Sequence, residues 1–412
     1  LIEIYKIKNL DMTTSNIINK IKPSATLALS SKVKQMKSEG VNVIGFGAGE
    51  PDFDTPEEIK ASAIESLKSG FTKYTPTSGI PELKEAICEK LSKENNIDYS
   101  PQQILASCGA KQVIFNCLQA LCNDGDEVLI PSPYWLSYPE QVTFARGKSV
   151  FIESSDESDF KITKTDIERN ITEKTKVLII NSPSNPTGSL YTEKELFEIV
   201  QPAINAGLYI ISDEIYEKIL YDGEKHVSPA SFGKEFFEKL ITVNGFSKAY
   251  SMTGWRIGYA AGPVDIIKGA TLVQDHSTSG PNSFTQKAAV TALQGDGKAT
   301  ADMVKEFDKR RKYIVERLNN IDGITCMLPK GAFYVFPNIS GLYNRDICDQ
   351  RVTNSLDLAN LILDKAKTAF VPGICFGSDS HLRISYATSM ENIKEGMDRF
   401  EKLLNEGIAH EG

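Results

Sequence analysis

Apolar residues recur at two spacings along the chain, and the wider spacing predicts helices. Ile59, Ala63 and Leu67 lie four residues apart, as the residues of one buried helix face do. The preceding Thr55-Pro56-Glu57-Glu58 is typical of a capping box with proline at the first helical position. We therefore expect a helix that begins here and ends at Gly70.

The same reasoning predicts four further helices. Their apolar positions repeat every three or four residues, or a Thr-x-x-Glu start signal precedes them. They are expected at residues 83–91, at 113–121, from 192 onward and at 393–404.

Short apolar runs without polar alternation predict buried strands. They lie at residues 103–107, 127–131, 176–181, 208–212, 240–245 and 256–261. Such runs are typical of a parallel sheet with helices on both faces. The expected fold class is α/β, with a large domain of residues 57–298 built on a mostly parallel, helix-covered sheet.

The pattern changes from about residue 300. Long amphipathic stretches surround two short apolar runs, at residues 332–337 and 383–385. We expect a smaller α+β domain built from both chain ends, comprising residues 12–56 and 299–412. The first eleven residues carry no structural weight in this interpretation.

The balance of charge limits the partners of the chain. Its 412 residues include 46 Lys and Arg against 54 Asp and Glu, a formal net charge of −8. A negative surface disfavours nucleic acid and anionic membranes as partners. No apolar run approaches the ~18 residues of a membrane span. Charged residues interrupt Leu1–Leu10, so we expect no secretory signal.

Cysteine and histidine usage excludes several classes of site. The seven cysteines form no Cys-x-x-Cys pair, which favours reduced thiols in a cytoplasmic protein. None of the four histidines has a His partner at metal-ligand spacing, so we expect no metal site. The glycine-rich run 45–49 has the wrong spacing for a dinucleotide fingerprint, which excludes NAD.

Chemically useful residues follow the predicted strands, where parallel sheets bind ligands. Gly109-Ala110-Lys111 would offer the free N–H groups of a helix N-terminus to a phosphate. The other groups at strand ends are Trp135, Asn185, Asp213, Tyr216, Ser247, Lys248 and Arg256. Pyridoxal 5'-phosphate needs a lysine for its Schiff base, an acid at its pyridine nitrogen and an anion site. The set fits that cofactor.

Eight segments in a fixed order carry a resemblance that extends from Lys22 to the last helix. The chain resembles the fold-type I, class I aminotransferases, and within them the bacterial aspartate aminotransferases, some of which also act on prephenate. The segments are residues 22–26, 47–56, 73–74, 182–188, 212–216, 247–248, 252–259 and 383–386.

The resemblance implies a cofactor role for each residue at the strand ends. Lys248 would form the Schiff base and move the substrate proton, and Asp213 would keep the pyridine nitrogen protonated. Tyr216 and Asn185 would contact the phenolic oxygen, and Trp135 would stack on the ring. The phosphate would be held by Gly109, Ala110, Lys111, Ser247, Arg256 and, from the partner subunit of a homodimer, Tyr74. Without the resemblance, each of these residues has an ordinary structural alternative. These are a solvated lysine for Lys248, a helix cap for Asp213, a turn former for Asn185, a core aromatic for Trp135 and a half-buried tyrosine for Tyr74.

The resemblance also implies how substrates bind. Arg383 would take the α-carboxylate with a bidentate guanidinium, beside Gly49, Trp135 and Asn185. The segment 274–282, comparable to one that carries a distal-carboxylate arginine in other subgroups, contains no Arg or Lys. Lys111, Ser24 and Thr26 would replace it, and Lys22 would assist prephenate. A hydroxyl that contacts the phosphate in many relatives is missing at Gly245, and Ser247 would partly compensate.

The expected activity is ping-pong transfer of the amino group of L-aspartate to 2-oxoglutarate, with amino acids and 2-oxo acids as partners. An aminotransferase for aromatic or other amino acids, or a β-lyase on the same fold, stays open. A DNA-binding regulator is disfavoured, because about twenty residues before Lys22 are too few for a winged helix.

Overall fold

The structure is a computed structural model and describes residues 14–408. The predicted start of the small domain at residues 12–13 and its end at 409–412 lie outside the described residues, as do the first eleven residues. The α-helices are Ala25–Ser38, Glu57–Lys68, Pro81–Asn95, Ala110–Leu121, Ser137–Phe144, Lys164–Asn170, Glu193–Asn205, Lys234–Phe237, Val264–Asp275, Ser283–Gln294, Lys298–Asn319, Ser355–Leu361 and Met390–Ile408.

The strands fall into one large and three small sheets. They are β1 (Ile44–Gly45), β2 (Ile104–Ser107), β3 (Glu127–Ser132), β4 (Lys148–Glu153), β5 (Thr175–Asn181), β6 (Tyr209–Asp213), β7 (Leu240–Gly245), β8 (Gly258–Ala261), β9 (Tyr334–Val335), β10 (Asp346–Ile347), β11 (Gln350–Arg351), β12 (Thr368–Ala369), β13 (Val371–Pro372) and β14 (Leu382–Ser385). Short 3₁₀ turns lie at Ile18–Lys20, Pro101–Gln103, Asp156–Ser158, Pro229–Phe232, Ser340–Leu342 and Gly373–Phe376, and a π turn lies at Ile362–Ala366.

The large sheet has the strand order β2-β8-β7-β6-β5-β3-β4. Strands β3 to β7 pair in parallel, whereas β8 runs antiparallel to both of its neighbours. Asn181 lies opposite Asp213, and Gly245 lies opposite Gly258. The carboxyl ends of the parallel strands and the start of β8 therefore meet at one edge.

Burial on both faces explains the unalternated apolar runs. In β5, Leu178 and Ile180 pack into one core cluster, whereas Val177 and Ile179 pack into another on the opposite face. All four side chains are at most 1% exposed. The sheet is thus covered by helices on two sides, as the sequence predicts.

The capping box predicted at Thr55 is wrong. The helix is Glu57–Lys68, its N-cap is Pro56, and no side chain caps it. The hydroxyl of Thr55 instead donates to the carbonyl of Ser251 at 2.7 Å and accepts from Trp255 Nε1 at 2.9 Å. Thr55 therefore ties the loop before the helix to residues next to the candidate site.

The N-terminal and C-terminal parts of the described chain meet in one of the small sheets. β1, near the N-terminus, pairs in parallel with β12, and β13, β14 and β9 form an antiparallel sheet. Ile44 and Phe46 belong to a core cluster formed mainly by residues from 303 onward. The domain boundaries at 56/57 and 298/299 stay a prediction. Within residues 14–408, no helix combines the length and the apolar character needed to cross a lipid bilayer.

Candidate active site

A cavity of about 340 Å³ opens at the carboxyl edge of the large sheet. It is lined by twelve of the residues predicted from the sequence: Thr26, Gly49, Ala110, Lys111, Trp135, Asn185, Asp213, Tyr216, Ser247, Lys248, Arg256 and Arg383. Because these come from nine separate segments, the fold brings together residues that the sequence places up to about 360 positions apart.

The helix that begins at Ala110 meets Arg256 at one end of the cavity. Arg256 donates from Nη1 to the carbonyl of Thr253 at 3.0 Å and from Nη2 to that of Cys108 at 3.1 Å. Gly109 caps the helix with φ of +89°, and a Cβ there would lie 2.6 Å from Arg256 Nη2. Glycine is therefore needed, and free N–H groups and a guanidinium face the same space.

A second close backbone contact lies at the same end of the cavity. A Cβ on Gly258, the first residue of β8, would lie 2.5 Å from the backbone nitrogen of Ala110. Gly245, on the adjacent strand, is also closely packed, since its Cβ would lie 3.0 Å from the Cα of Gly258. The packing of β7 against β8 thus accounts for the missing hydroxyl at position 245.

Lys248 is partly buried and points its amine into the cavity. Its Nζ donates to the carbonyl oxygen of Gly49. Burial lowers the pKa of Lys248 to about 8, and the positive charges of Arg256 and Arg383 act in the same direction, against the carboxylate of Glu50. The amine is consequently neutral far more often than an ordinary lysine.

Asp213 ends β6 and is 4% exposed. Tyr138 donates its hydroxyl to Asp213 Oδ2 at 2.7 Å, and the N–H of Ile215 donates to Oδ1 at 3.3 Å. Burial raises the pKa of Asp213 to about 6, while these two hydrogen bonds oppose the rise. The carboxylate is held in a fixed orientation at the cavity wall.

Arg383, on β14, is buried and lacks an acidic partner among residues 14–408. It donates from Nη1 to Asn185 Oδ1 at 3.0 Å and from Nη2 to the carbonyl of Gly47 at 2.8 Å, whereas Nε has no partner. Burial lowers its pKa. A buried guanidinium of this kind is suited to an anionic ligand, since unpaired buried charge is costly.

Four predicted residues do not line the cavity. Gly109 lies just behind its wall as the helix cap. Ser24 accepts from the N–H of Leu27 at 3.5 Å as an N-cap and lies 3.2 Å from Thr26 Oγ1. Lys22 is exposed, and its backbone N–H donates to Glu140 at 2.9 Å. Tyr74 is 99% exposed, so the alternative of a half-buried tyrosine is wrong.

Sequence reasoning missed four cavity residues, namely Tyr138, Asn181, Ile215 and Tyr334. Asn181 is the last residue of the predicted strand 176–181 and Tyr138 comes seven residues after the predicted strand 127–131, so their positions in the sequence indicate this edge of the sheet. Tyr334 lies within a predicted strand, and only tertiary contacts decide that its hydroxyl faces the cavity. The Tyr334 and Tyr216 hydroxyls are 2.8 Å apart.

A charged cluster behind β6 was also missed. Glu214, Glu217 and His226 present atoms within 4.8 Å of one another. His226 Nε2 lies 2.9 Å from Glu214 Oε2, and Lys90 pairs with Glu217. Burial alone would raise the pKa of Glu217, but Lys90 and His226 outweigh it and lower the pKa to about 2. Lys90 and His226 thus pair with the two buried carboxyl groups inside the protein.

Known proteins share this sequence and fold. Residues 41–400 match the family described as aminotransferase class I and II. The chain is 46% identical to an aspartate aminotransferase of Bacillus sp. (strain YM-2), over 95% of this chain and 98% of the relative. It is 46% identical to a probable aspartate/prephenate aminotransferase of Aquifex aeolicus (strain VF5), over 94% and 98%.

The crystal structure of the aspartate aminotransferase from Rhizobium meliloti superposes with a TM-score of 0.93 at 40% identity, over 96% of this chain and 99% of that one. The expected α/β fold of these enzymes is thereby confirmed. The residue pattern, the cavity and both kinds of comparison agree, and the chain belongs to the class I and II aminotransferase family.

Proposed function

We propose that the protein is a pyridoxal-phosphate-dependent aspartate aminotransferase. It transfers the amino group of L-aspartate to 2-oxoglutarate by a ping-pong reaction that yields oxaloacetate and L-glutamate. The observation that carries the proposal is the presence, in one cavity, of two groups: an amine with a lowered pKa at Lys248, and a buried guanidinium at Arg383 that has no acidic partner within residues 14–408. Relatives at 46% identity bear the name aspartate aminotransferase or include aspartate in it.

The donor set fits pyridoxal phosphate. The N-terminus of the helix Ala110–Leu121 and Arg256 would hold the phosphate, and Ser247, which lines the same cavity, would be a further donor. The cradle depends on Gly109 and Gly258, where any Cβ would collide. Trp135 would cover one ring face, and Asn185 and Tyr216 would contact the phenolic oxygen. When bound, the cofactor supplies an aldehyde that condenses with amines and a ring that withdraws electrons from the substrate Cα.

Lys248 acts as nucleophile and then as proton carrier. With a pKa of about 8, about a tenth of the amine is neutral at pH 7, against less than about a thousandth for an unperturbed lysine. With the cofactor and a substrate amine bound, the Nζ atom would move the proton between the substrate Cα and the cofactor.

Asp213 holds a proton on the ring nitrogen. Its carboxylate is ionised above its pKa of about 6, and a neighbouring cation would lower that pKa further. The hydroxyl of Tyr138 fixes the carboxylate by a 2.7 Å hydrogen bond. Asp213 therefore needs no reorganisation during the reaction.

Both substrates share an α-carboxylate, for which Arg383 is the proposed partner. Asn185, already bonded to Arg383 at 3.0 Å, and the backbone at Gly49 complete this end of the site. The second carboxylate of aspartate would meet Lys111 and Thr26, which line the same cavity, with Ser24 next to Thr26. Lys111 Nζ lies 5.1 Å from the Trp135 ring centroid. Prephenate is a further proposed acceptor, for which the resemblance implicates Lys22.

We also propose a homodimer with shared sites. Tyr74 is fully exposed in the single chain, as a residue that reaches the partner's phosphate would be. The proposed compartment is the cytoplasm, on the basis of the scattered cysteines.

A half-reaction panel tests the proposal. The holoenzyme is mixed rapidly with L-aspartate, L-glutamate, L-phenylalanine or L-alanine, and the loss of visible cofactor absorbance is followed. We expect aspartate and glutamate to react fastest and oxaloacetate to appear from aspartate. Fast reaction with phenylalanine alone would favour an aromatic aminotransferase. Release of pyruvate and ammonia from a β-substituted amino acid, without amino transfer, would contradict the proposal in favour of a β-lyase.

A further inference from the structure

Tyr334 joins two parts of the site that have separate proposed roles. It lies on β9, is 1% exposed and lines the cavity. Its hydroxyl oxygen is 2.8 Å from that of Tyr216. Its ring lies 4.6 Å from the guanidinium carbon of Arg383. One side chain therefore contacts both the residue proposed for the cofactor's phenolic oxygen and the residue proposed for the substrate α-carboxylate.

The backbone of Gly49 leaves space for this arrangement. A Cβ at position 49 would lie 2.8 Å from the Tyr334 hydroxyl oxygen, which is closer than a Cβ comes to a non-bonded atom. The glycine thus admits the phenol between itself and Tyr216. The contact gives a second reason for glycine at this position, besides access of a substrate carboxylate to the backbone.

We propose that Tyr334 is a positioning residue that tunes Tyr216 by donating a hydrogen bond to its hydroxyl oxygen. The inference rests on the proposed function, in which Tyr216 donates its own proton to the phenolic oxygen of the cofactor. Tyr216 can then accept only through its lone pairs, so the O–H of Tyr334 is the donor of the 2.8 Å bond.

The direction of the bond determines its effect. A phenol that accepts a hydrogen bond becomes a stronger donor, because chained hydrogen bonds polarise one another. Tyr334 therefore strengthens the bond from Tyr216 to the ionised phenolic oxygen of the cofactor. Stabilising that anion lowers the pH at which the cofactor–Lys248 chromophore loses its proton. The ring of Tyr334 makes a separate cation–π contact with the guanidinium of Arg383.

The test is a pH titration of the visible absorbance of purified holoenzyme. Tyr334→Phe removes the hydroxyl but keeps the ring. We expect the apparent pKa of the chromophore to rise by about 0.2–0.7 unit, which corresponds to 10–30% of a strong hydrogen bond to a charged group. The KM for 2-oxoglutarate should change less than about twofold, since the ring under Arg383 remains.

Tyr386→Phe is the matched control. Tyr386 is buried and donates to the carbonyl of Ala332 at 3.1 Å and to Tyr221 at 3.2 Å, and it is not among the residues that line the cavity. Loss of this phenol should leave the apparent pKa within about 0.1 unit of wild type. An equal rise of the apparent pKa in both variants would overturn the proposal, because the effect would then come from loss of any buried phenol and not from the contact with Tyr216.

A double variant separates action through Tyr216 from direct action on the cofactor. Tyr216→Phe alone should raise the apparent pKa by about 1–2 units. Adding Tyr334→Phe should then produce no further rise. A full additional rise in the double variant, or no rise in Tyr334→Phe alone, would contradict the proposal. Failure of the proposed function is distinguishable, because a protein that binds no cofactor would show no visible band in any variant.

Discussion

The buried amine of Lys248 has a measurable cost for the cofactor-free protein. Replacing it with methionine, which has a similar length and no charge, should stabilise that form at neutral pH. The reason is the desolvation that lowers the pKa of Lys248 from 10.5 to about 8. Between about pH 8 and pH 10.5, the unfolded chain binds more protons at Lys248 than the folded protein does, so the free energy of unfolding of the wild type rises with pH.

The size of the effect follows from the pKa difference. About 2.5 units correspond to about 3 kcal/mol at pH 7, and this is an upper bound, since the cavity is open enough to admit water. By pH 9.5, most folded molecules already carry a neutral amine, and about 1 kcal/mol remains. The stability advantage of Lys248→Met should therefore shrink by about 2 kcal/mol between the two pH values.

The assay is urea unfolding of cofactor-free wild type and variant at one protein concentration and at several pH values. Loss of the hydrogen bond to Gly49 changes the free energy of unfolding by a similar amount at every pH. It therefore does not affect the trend with pH. Lys194→Met, with a side chain 85% exposed, controls for the loss of a lysine charge. If the advantage of Lys248→Met stayed constant from pH 7 to 9.5, or grew, the reasoning from desolvation would be refuted.

Three further substitutions test the substrate and cofactor roles. Arg383→Lys should lower kcat/KM about 10- to 100-fold for both aspartate and 2-oxoglutarate, because one charge-assisted hydrogen bond to their common carboxylate is lost; a loss confined to one substrate in steady-state kinetics would contradict this. Lys111→Ala should reduce kcat/KM for aspartate more than for phenylalanine, and equal losses would refute its role at the distal carboxylate. Tyr138→Phe removes a bond that lowers the pKa of Asp213, so the acidic limb of the pH–kcat profile should move to higher pH; an unchanged profile would argue against the contact.

The large sheet was largely predictable because burial on two faces leaves a simple pattern. The run 176–181 corresponds to Thr175–Asn181, and 103–107 corresponds to Ile104–Ser107. Strand β4 was missed, since Lys148–Glu153 at the sheet edge has only one buried residue and mixes charged with apolar residues. Only Tyr334–Val335 of the run 332–337 forms a strand. Ala332 has a positive φ of +58°, so the extended conformation does not begin at the start of the run.

The candidate site was predictable where chemistry follows directly after a strand, as at Asp213 and Lys248. It was not predictable where a role depends on a distant contact. Tyr334 meets Tyr216 across 118 residues of sequence, and Thr55 meets Ser251 across 196. Local capping preferences favour a helix cap at Thr55, but its tertiary hydrogen bonds decide otherwise. The spacing of residues along the chain does not predict such long-range contacts.

Reduction with borohydride tests the central claim most directly. The purified protein is loaded with pyridoxal phosphate, reduced, digested and mapped by mass spectrometry. The account predicts a visible absorbance band before reduction and a single phosphopyridoxyl adduct on the peptide that contains Lys248. A colourless protein, or an adduct only on other lysines, would contradict it.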